Sequence, residues 1–165
     1  MKLDNFYLKL WNIKDSIKED IKKLGDKVQY ITPIGFLAYV ACFGTHQLGI
    51  IFCVTFIISM IILSLLNALF NNPRPREVEG TENPDLNLDW SPSDGNSFPS
   101  GHTMSAMMGG VFWFQIGLLP GILGVLLGAF TGISRVIARA HWLRDILTSS
   151  IVSVLLYLIV VIFIL

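Results

Sequence analysis

Three stretches of this chain carry no charged side chain at all: Val28 to Pro73, Gly95 to Ser134, and Ile146 to Leu165. A bilayer core takes roughly 20 apolar residues per helix. The first stretch is too long for one span, and Gly44-Thr45-His46-Gln47 supplies a polar turn that divides it. The second divides at Leu119-Pro120-Gly121, where proline favours a helix start and glycine a turn. The third is a single span. The reading predicts five helices over 29–44, 48–70, 101–118, 120–138 and 144–165, an all-α integral membrane bundle forming one domain over 1–165.

The charges test that count. Twelve basic and twelve acidic residues cancel, which gives no reason to expect a nucleic-acid partner. Charged residues make up only 15% of the chain, against about 25% in a soluble domain. All of them fall within 1–29, 71–100 and 134–145, and alternating spans put these three segments on one side of the membrane. Adding or losing a span would scatter them.

Before the first span, Leu3, Phe6, Tyr7, Leu10, Ile17, Ile21, Leu24 and Val28 recur at helical spacing among lysines and acids. This predicts an amphipathic interfacial helix over 1–28, and no signal peptide is evident. Cys42 and Cys53 read as small buried hydrophobes. Gly124, Gly128 and Gly132 form a stripe that lets helix backbones approach closely. His46, in the opposite turn, reads as a surface residue, and Trp90 and Trp142 as interfacial anchors. The acidic segment 77–94, within the site-side loop 71–100, reads as a solvated cap.

Chemistry concentrates on the charged side. Asn71-Asn72-Pro73-Arg74-Pro75-Arg76 opens the second segment, and Phe98-Pro99-Ser100-Gly101-His102 closes it. The third reads from Ser134-Arg135 through Arg139, His141 and Arg144 to Asp145. Ionisable residues beside membrane spans are costly unless paired or functional. A phosphate ester would use such a set well. Arginine neutralises the phosphoryl charge bidentately. A neutral imidazole can attack phosphorus, a carboxylate can steady the cation that develops, and a second histidine can protonate the leaving alkoxide. Arg135, His141, Asp145 and His102 match those roles. His141 and Asp145, four apart, would share a face if helical. Ser100-Gly101 at a helix start adds an anion site. The arginines argue against a metal centre, and no cofactor is expected.

Pro99-Ser100-Gly101-His102 and Ser134-Arg135-x5-His141-x3-Asp145 resemble the second and third motifs of the type-2 phosphatidic acid phosphatase (PAP2) superfamily. Arg74-Pro75 resembles the end of its first motif. The resemblance implies a PAP2-like helical core and metal-independent hydrolysis through a phospho-histidine. It makes His141 the nucleophile, Asp145 its partner and His102 the acid and base. Arg74, Arg135, Ser100 and Gly101 would hold the phosphate. Where the family motif has lysine, this chain has Asn67, whose amide can still donate but carries no charge. Arg139, four after Arg135, would replace that charge if its helix continues; Arg76 and Arg144 are the other candidates.

The expected activity is lipid-phosphate hydrolysis, on lipid A 1-phosphate, undecaprenyl diphosphate, phosphatidylglycerol phosphate or phosphatidate. The lean is towards a bacterial envelope lipid. Phosphotransfer to another acceptor and non-catalytic anion binding are the rival readings. The expected location is the inner membrane. There the positive-inside rule points the site to the cytoplasm, while the resemblance points it to the periplasm, which is preferred.

Overall fold

The computed structural model describes residues 11–70, 72–75 and 96–165. Expectations resting on residues 1–10, Asn71, Arg76, Trp90 and the acidic segment 77–94 lie outside the described residues. Among those described, the chain forms five α-helices: α1 (Asp15–Phe43), α2 (His46–Leu69), α3 (Gly101–Phe112), α4 (Leu118–Ile137) and α5 (Leu143–Phe163). A 3-10 turn at Trp113–Gln115 follows α3.

The boundaries have local causes. α1 stops at Gly44, which takes a left-handed backbone at φ 70° that glycine adopts without a steric cost. α2 ends just before a run holding Pro73 and Pro75, neither of which can donate to a helix. α3 begins at Ser100, whose hydroxyl accepts from the Thr103 amide at 3.4 Å. In α5, the Asp145 carboxylate accepts from the Trp142 amide at 2.8 Å and caps the first turn.

Two boundaries differ from the sequence reading: α3 stops at Phe112 rather than 118, because the chain tightens into the 3-10 turn and breaks at Gly117, leaving Pro120 inside the first turn of α4, and the start of α1 differs as well. The described part of the expected interfacial helix does not stand apart from the first span, because α1 runs unbroken from Asp15 to Phe43. The drop in charge after Lys27 changes the helix's surroundings and leaves its periodicity intact. Gly25, Val28, Gln29, Thr32, Pro33, Phe36 and Val40 form one continuous buried stripe across the expected break.

Three helices, α2, α4 and α5, are long and apolar enough to cross a membrane. α3 is different. Twelve residues span about 18 Å, and nearly every side chain after the first turn is buried, so α3 is the enclosed centre of the bundle. Its closest partner is α4, through the expected glycine stripe. A Cβ on Gly110 would collide with the Gly124 carbonyl, and one on Gly128 would come within 3.0 Å of the Met107 Cα. Close backbone approach is what holds helices together where lipid outside is as apolar as the core.

The exterior is a hydrocarbon belt. Ile50, Val54, Ile57, Ile61 and Leu65 of α2 and Leu147, Ile151, Leu155 and Ile162 of α5 all face outward. Cys42 and Cys53 join this surface, which corrects their assignment to the interior. A small apolar side chain is as well solvated by lipid as by protein, so composition alone does not place it.

Inside, the two ends of the bundle differ. At one end Phe36, Phe52 and Phe112 pack with ring centroids 5.0 to 5.5 Å apart, and Tyr157 stands edge-on to Phe112. Towards the other end the contacts turn polar. Ser149 and Ser153 of α5 donate to the Ser100 and Met104 carbonyls at 2.9 and 3.3 Å, and Thr32 donates to Ala106 at 2.7 Å.

Candidate functional site

The polar end gathers α1, the segment 72–75, the start of α3, and the connection from α4 to α5. Asn96 clasps this end together. Its amide donates to the Asn67 and Phe70 carbonyls, both at 2.6 Å. Its carbonyl accepts from the Asn72 and Phe98 amides at 3.3 and 3.1 Å. Ser97 adds a backbone bond to the Asn72 carbonyl at 2.8 Å. Trp142, expected as a membrane anchor, donates to the Pro73 carbonyl at 2.9 Å and packs against Trp11.

His141 is buried in the connection before α5, held by a partner that the spacing of side chains does not reveal. Its Nδ1 lies 2.6 Å from the Ser97 carbonyl and 3.7 Å from Asp145 Oδ2. A carbonyl oxygen only accepts, so Nδ1 carries the proton and Nε2 of the neutral ring keeps its lone pair. The helical face-sharing expected of His141 and Asp145 is not how they meet: His141 precedes the helix, and Asp145 reaches back to it from the first turn. Burial pushes the His141 imidazole below its ordinary range and the Arg74 charge adds to this, against the opposing pull of Asp145 and the Ser97 carbonyl.

Asp145 is fully buried, and its Oδ1 has no hydrogen-bond partner among the described residues, with Arg144 Nε at 3.6 Å. A carboxylate in that position favours positive charge on the neighbouring ring. Arg74 is also buried.

Ser100 is buried, and its hydroxyl oxygen also accepts from the Thr103 hydroxyl at 3.0 Å. The amides of Gly101 and His102, in the first turn of α3, have no partner one turn back. That leaves a helix N-terminus beside the histidines.

Arg135 is buried on α4. Its Nη2 pairs with Asp26 and with the Lys22 carbonyl at 3.4 Å, both on α1. The same Asp26 oxygen lies 3.6 Å from His102 Nε2.

Asp26 and the Ser97 carbonyl are therefore the site groups that sequence reasoning missed. Asp26 had a faint signal, a charge flanking the buried stripe next to Gly25. A backbone carbonyl has none.

Two further phosphate ligands were expected. Asn67 is half-buried and accepts from Asn96 through its backbone carbonyl. Arg139 lies past the end of α4, in a left-handed conformation at φ 55°, so it does not follow Arg135 by one helical turn. Its guanidinium stacks 5.0 Å above the Trp11 ring.

The comparisons bear on the helical core. Residues 48–165 match the family model described as PAP2 superfamily, and the chain belongs to that superfamily. It is similar to a protein of Porphyromonas gingivalis named lipid A 1-phosphatase, 36% identical over 64 residues. That match covers 36% of this chain and 14% of the relative's length. No solved structure matches the chain.

Proposed function

We propose that this chain is a membrane lipid phosphatase in which His141 attacks phosphorus and His102 handles the proton. The single observation that carries the reading is the tether from His141 Nδ1 to the Ser97 carbonyl, which leaves Nε2 as an unprotonated nucleophile at the buried, arginine-lined end of the bundle. In the first step the Nε2 lone pair forms the N–P bond as the ester P–O bond breaks, and His102, charged by the proton that a phosphate monoanion brings, passes that proton to the departing oxygen. Asp145 steadies the ring as it becomes cationic. In the second step His102 takes a proton from water, whose oxygen bonds phosphorus while the N–P electrons return to His141.

Arg74 and Arg135 carry the phosphoryl charge, with the first turn of α3 at Ser100 and Gly101 supplying amide donors and Asn67 a neutral one. The stacking of Arg139 on Trp11 favours a packing role for it over the missing lysine's role. The name of the Porphyromonas gingivalis relative favours the 1-phosphate of lipid A, an envelope lipid, as substrate. The location that goes with this reading is the inner membrane with the site towards the periplasm, the face that the family resemblance favours over the positive-inside rule.

The test is phosphate release by purified protein from lipid A 1-phosphate, undecaprenyl diphosphate, phosphatidylglycerol phosphate and phosphatidate. Release from at least one, lowered a thousandfold or more in His141→Ala, is expected. No release from any of them would sink the reading. Label transfer to an added alcohol in excess of release would make the chain a phosphotransferase instead.

A further inference from the structure

The Arg135–Asp26 pair is odd for a phosphate cradle, because the arginine already has an anion. A buried guanidinium must be compensated, and here the compensation comes from α1. The Asp26 carboxylate and the Lys22 carbonyl hold Nη2, while Nε has no hydrogen-bond partner among the described residues. Nε and Nη2 form one edge of the guanidinium, the edge that binds two phosphate oxygens side by side. Asp26 takes half of that edge.

Asp26 Oδ1 also lies 3.6 Å from His102 Nε2. One anionic oxygen thus sits between an arginine and a histidine, the two groups that flank a phosphoryl oxygen in the proposed reaction. Its position is fixed by packing. A Cβ on the adjacent Gly25 would collide with the Ser134 side chain, so glycine there lets α1 pack close against α4. Asp26 nonetheless keeps about a third of its side-chain surface accessible, so it can be displaced. It also lies outside the residues that match the family model.

We propose that Asp26 is an internal counter-anion of the phosphate subsite, holding Arg135 until the substrate's phosphate takes its place. This inference rests on the proposed function for the role of Arg135. Asp26 keeps the guanidinium neutralised and oriented between turnovers. It also weakens the hold on inorganic phosphate, so the product leaves. A purely structural ion pair between α1 and α4 predicts the opposite sign: its removal would loosen the site and weaken anion binding.

The experiment is calorimetric titration of the purified full-length protein with inorganic phosphate. Asp26→Asn keeps the shape and removes the charge, and its Kd for phosphate is expected to fall about tenfold, the effect of one nearby charge. Asp26→Glu keeps the charge and is expected to stay within about twofold of wild type on the same argument. An unchanged or higher Kd in Asp26→Asn overturns the proposal, as does phosphate binding to neither protein. Infrared difference spectra of the wild type need no variant to fold. Adding phosphate is expected to shift a carboxylate stretch as Asp26 gives up Arg135, and spectra with no carboxylate change overturn the proposal. Lipid turnover is scored separately. A wild type that turns over lipid phosphate, with unchanged Kd in Asp26→Asn, keeps the phosphatase and loses the counter-anion. A wild type that turns over nothing, yet tightens on phosphate in Asp26→Asn, does the reverse.

Discussion

The two ends of this bundle are built on different physics. The end near Phe36, Phe52 and Phe112 is aromatic, and its Gln115 amide finds the Tyr157 hydroxyl at 2.9 Å. The end near His141 is a web of ionisable groups in which one carboxylate oxygen of Asp145 and one nitrogen of Arg135 go without hydrogen bonds among the described residues. The first is optimised for contact. The second leaves buried hydrogen-bonding capacity unused, which costs stability. The difference teaches that, in a bundle solvated by lipid outside, incompletely satisfied polarity inside gathers at the end to which the proposed chemistry is assigned.

That contrast can be broken, and the largest expected effect is at the working end. Asp145→Asn preserves the side-chain shape and removes its charge. Because the Ser97 carbonyl sets the His141 tautomer, only the electrostatic support of the cation is lost. The expected fall in kcat is about 10²-fold, at the lower end for acid–base groups, with KM little changed. A fall near 10⁴-fold would mean that the carboxylate sets the tautomer after all.

The aromatic end should answer in stability alone. Phe112→Ala opens a cavity, but the reference state is already in lipid, so the transfer contribution largely drops out. The remaining cavity cost is about 2 kcal/mol, read as earlier unfolding in a denaturing-detergent titration. The kcat of the folded fraction should be unchanged, and a matching fall in kcat would mean that the two ends are coupled.

A smaller effect is expected in the pH profile. His141 is held below the ordinary histidine value of 6.5 by burial and Arg74, so it stays neutral into mild acid. The acid limb of kcat/KM that reports its protonation should lie below pH 6.5, and further below in Asp145→Asn. Stability follows the same group. Below pH 6.5 the unfolded chain takes up a proton that the folded His141 refuses, so folding weakens as pH drops towards the folded value. An acid limb above pH 7 with this assignment would contradict a buried, neutral His141.

How much of this was written in the sequence divides along similar lines. The break between α1 and α2 was legible because Gly44 and a lone polar turn have local causes, whereas the break after α3 comes at Trp113 to Gly117, ahead of the Leu119-Pro120-Gly121 that was expected to make it. The starts of α4 and α5 fall within two residues of the expected ones. The Gly124-Gly128-Gly132 stripe was legible from its spacing. The continuity of α1 was not, because the charge pattern changes at Lys27 while the buried stripe does not. Arg135 and Asp26 are separated by 109 residues, and no spacing rule encodes a pairing made by tertiary packing. The Ser97 carbonyl was illegible for a simpler reason: every residue has one.

The Asn96 clasp has a consequence for how such a chain can diversify. It ties the segment leaving α2 to the segment entering α3, and Ser97, next in sequence, hands its carbonyl to His141. The intervening sequence from Arg76 to Gly95 therefore starts and finishes at a closed base. The carbonyl that tethers the His141 imidazole is thus anchored to the end of α2 through Asn96 and Asn72, whatever sequence lies between them.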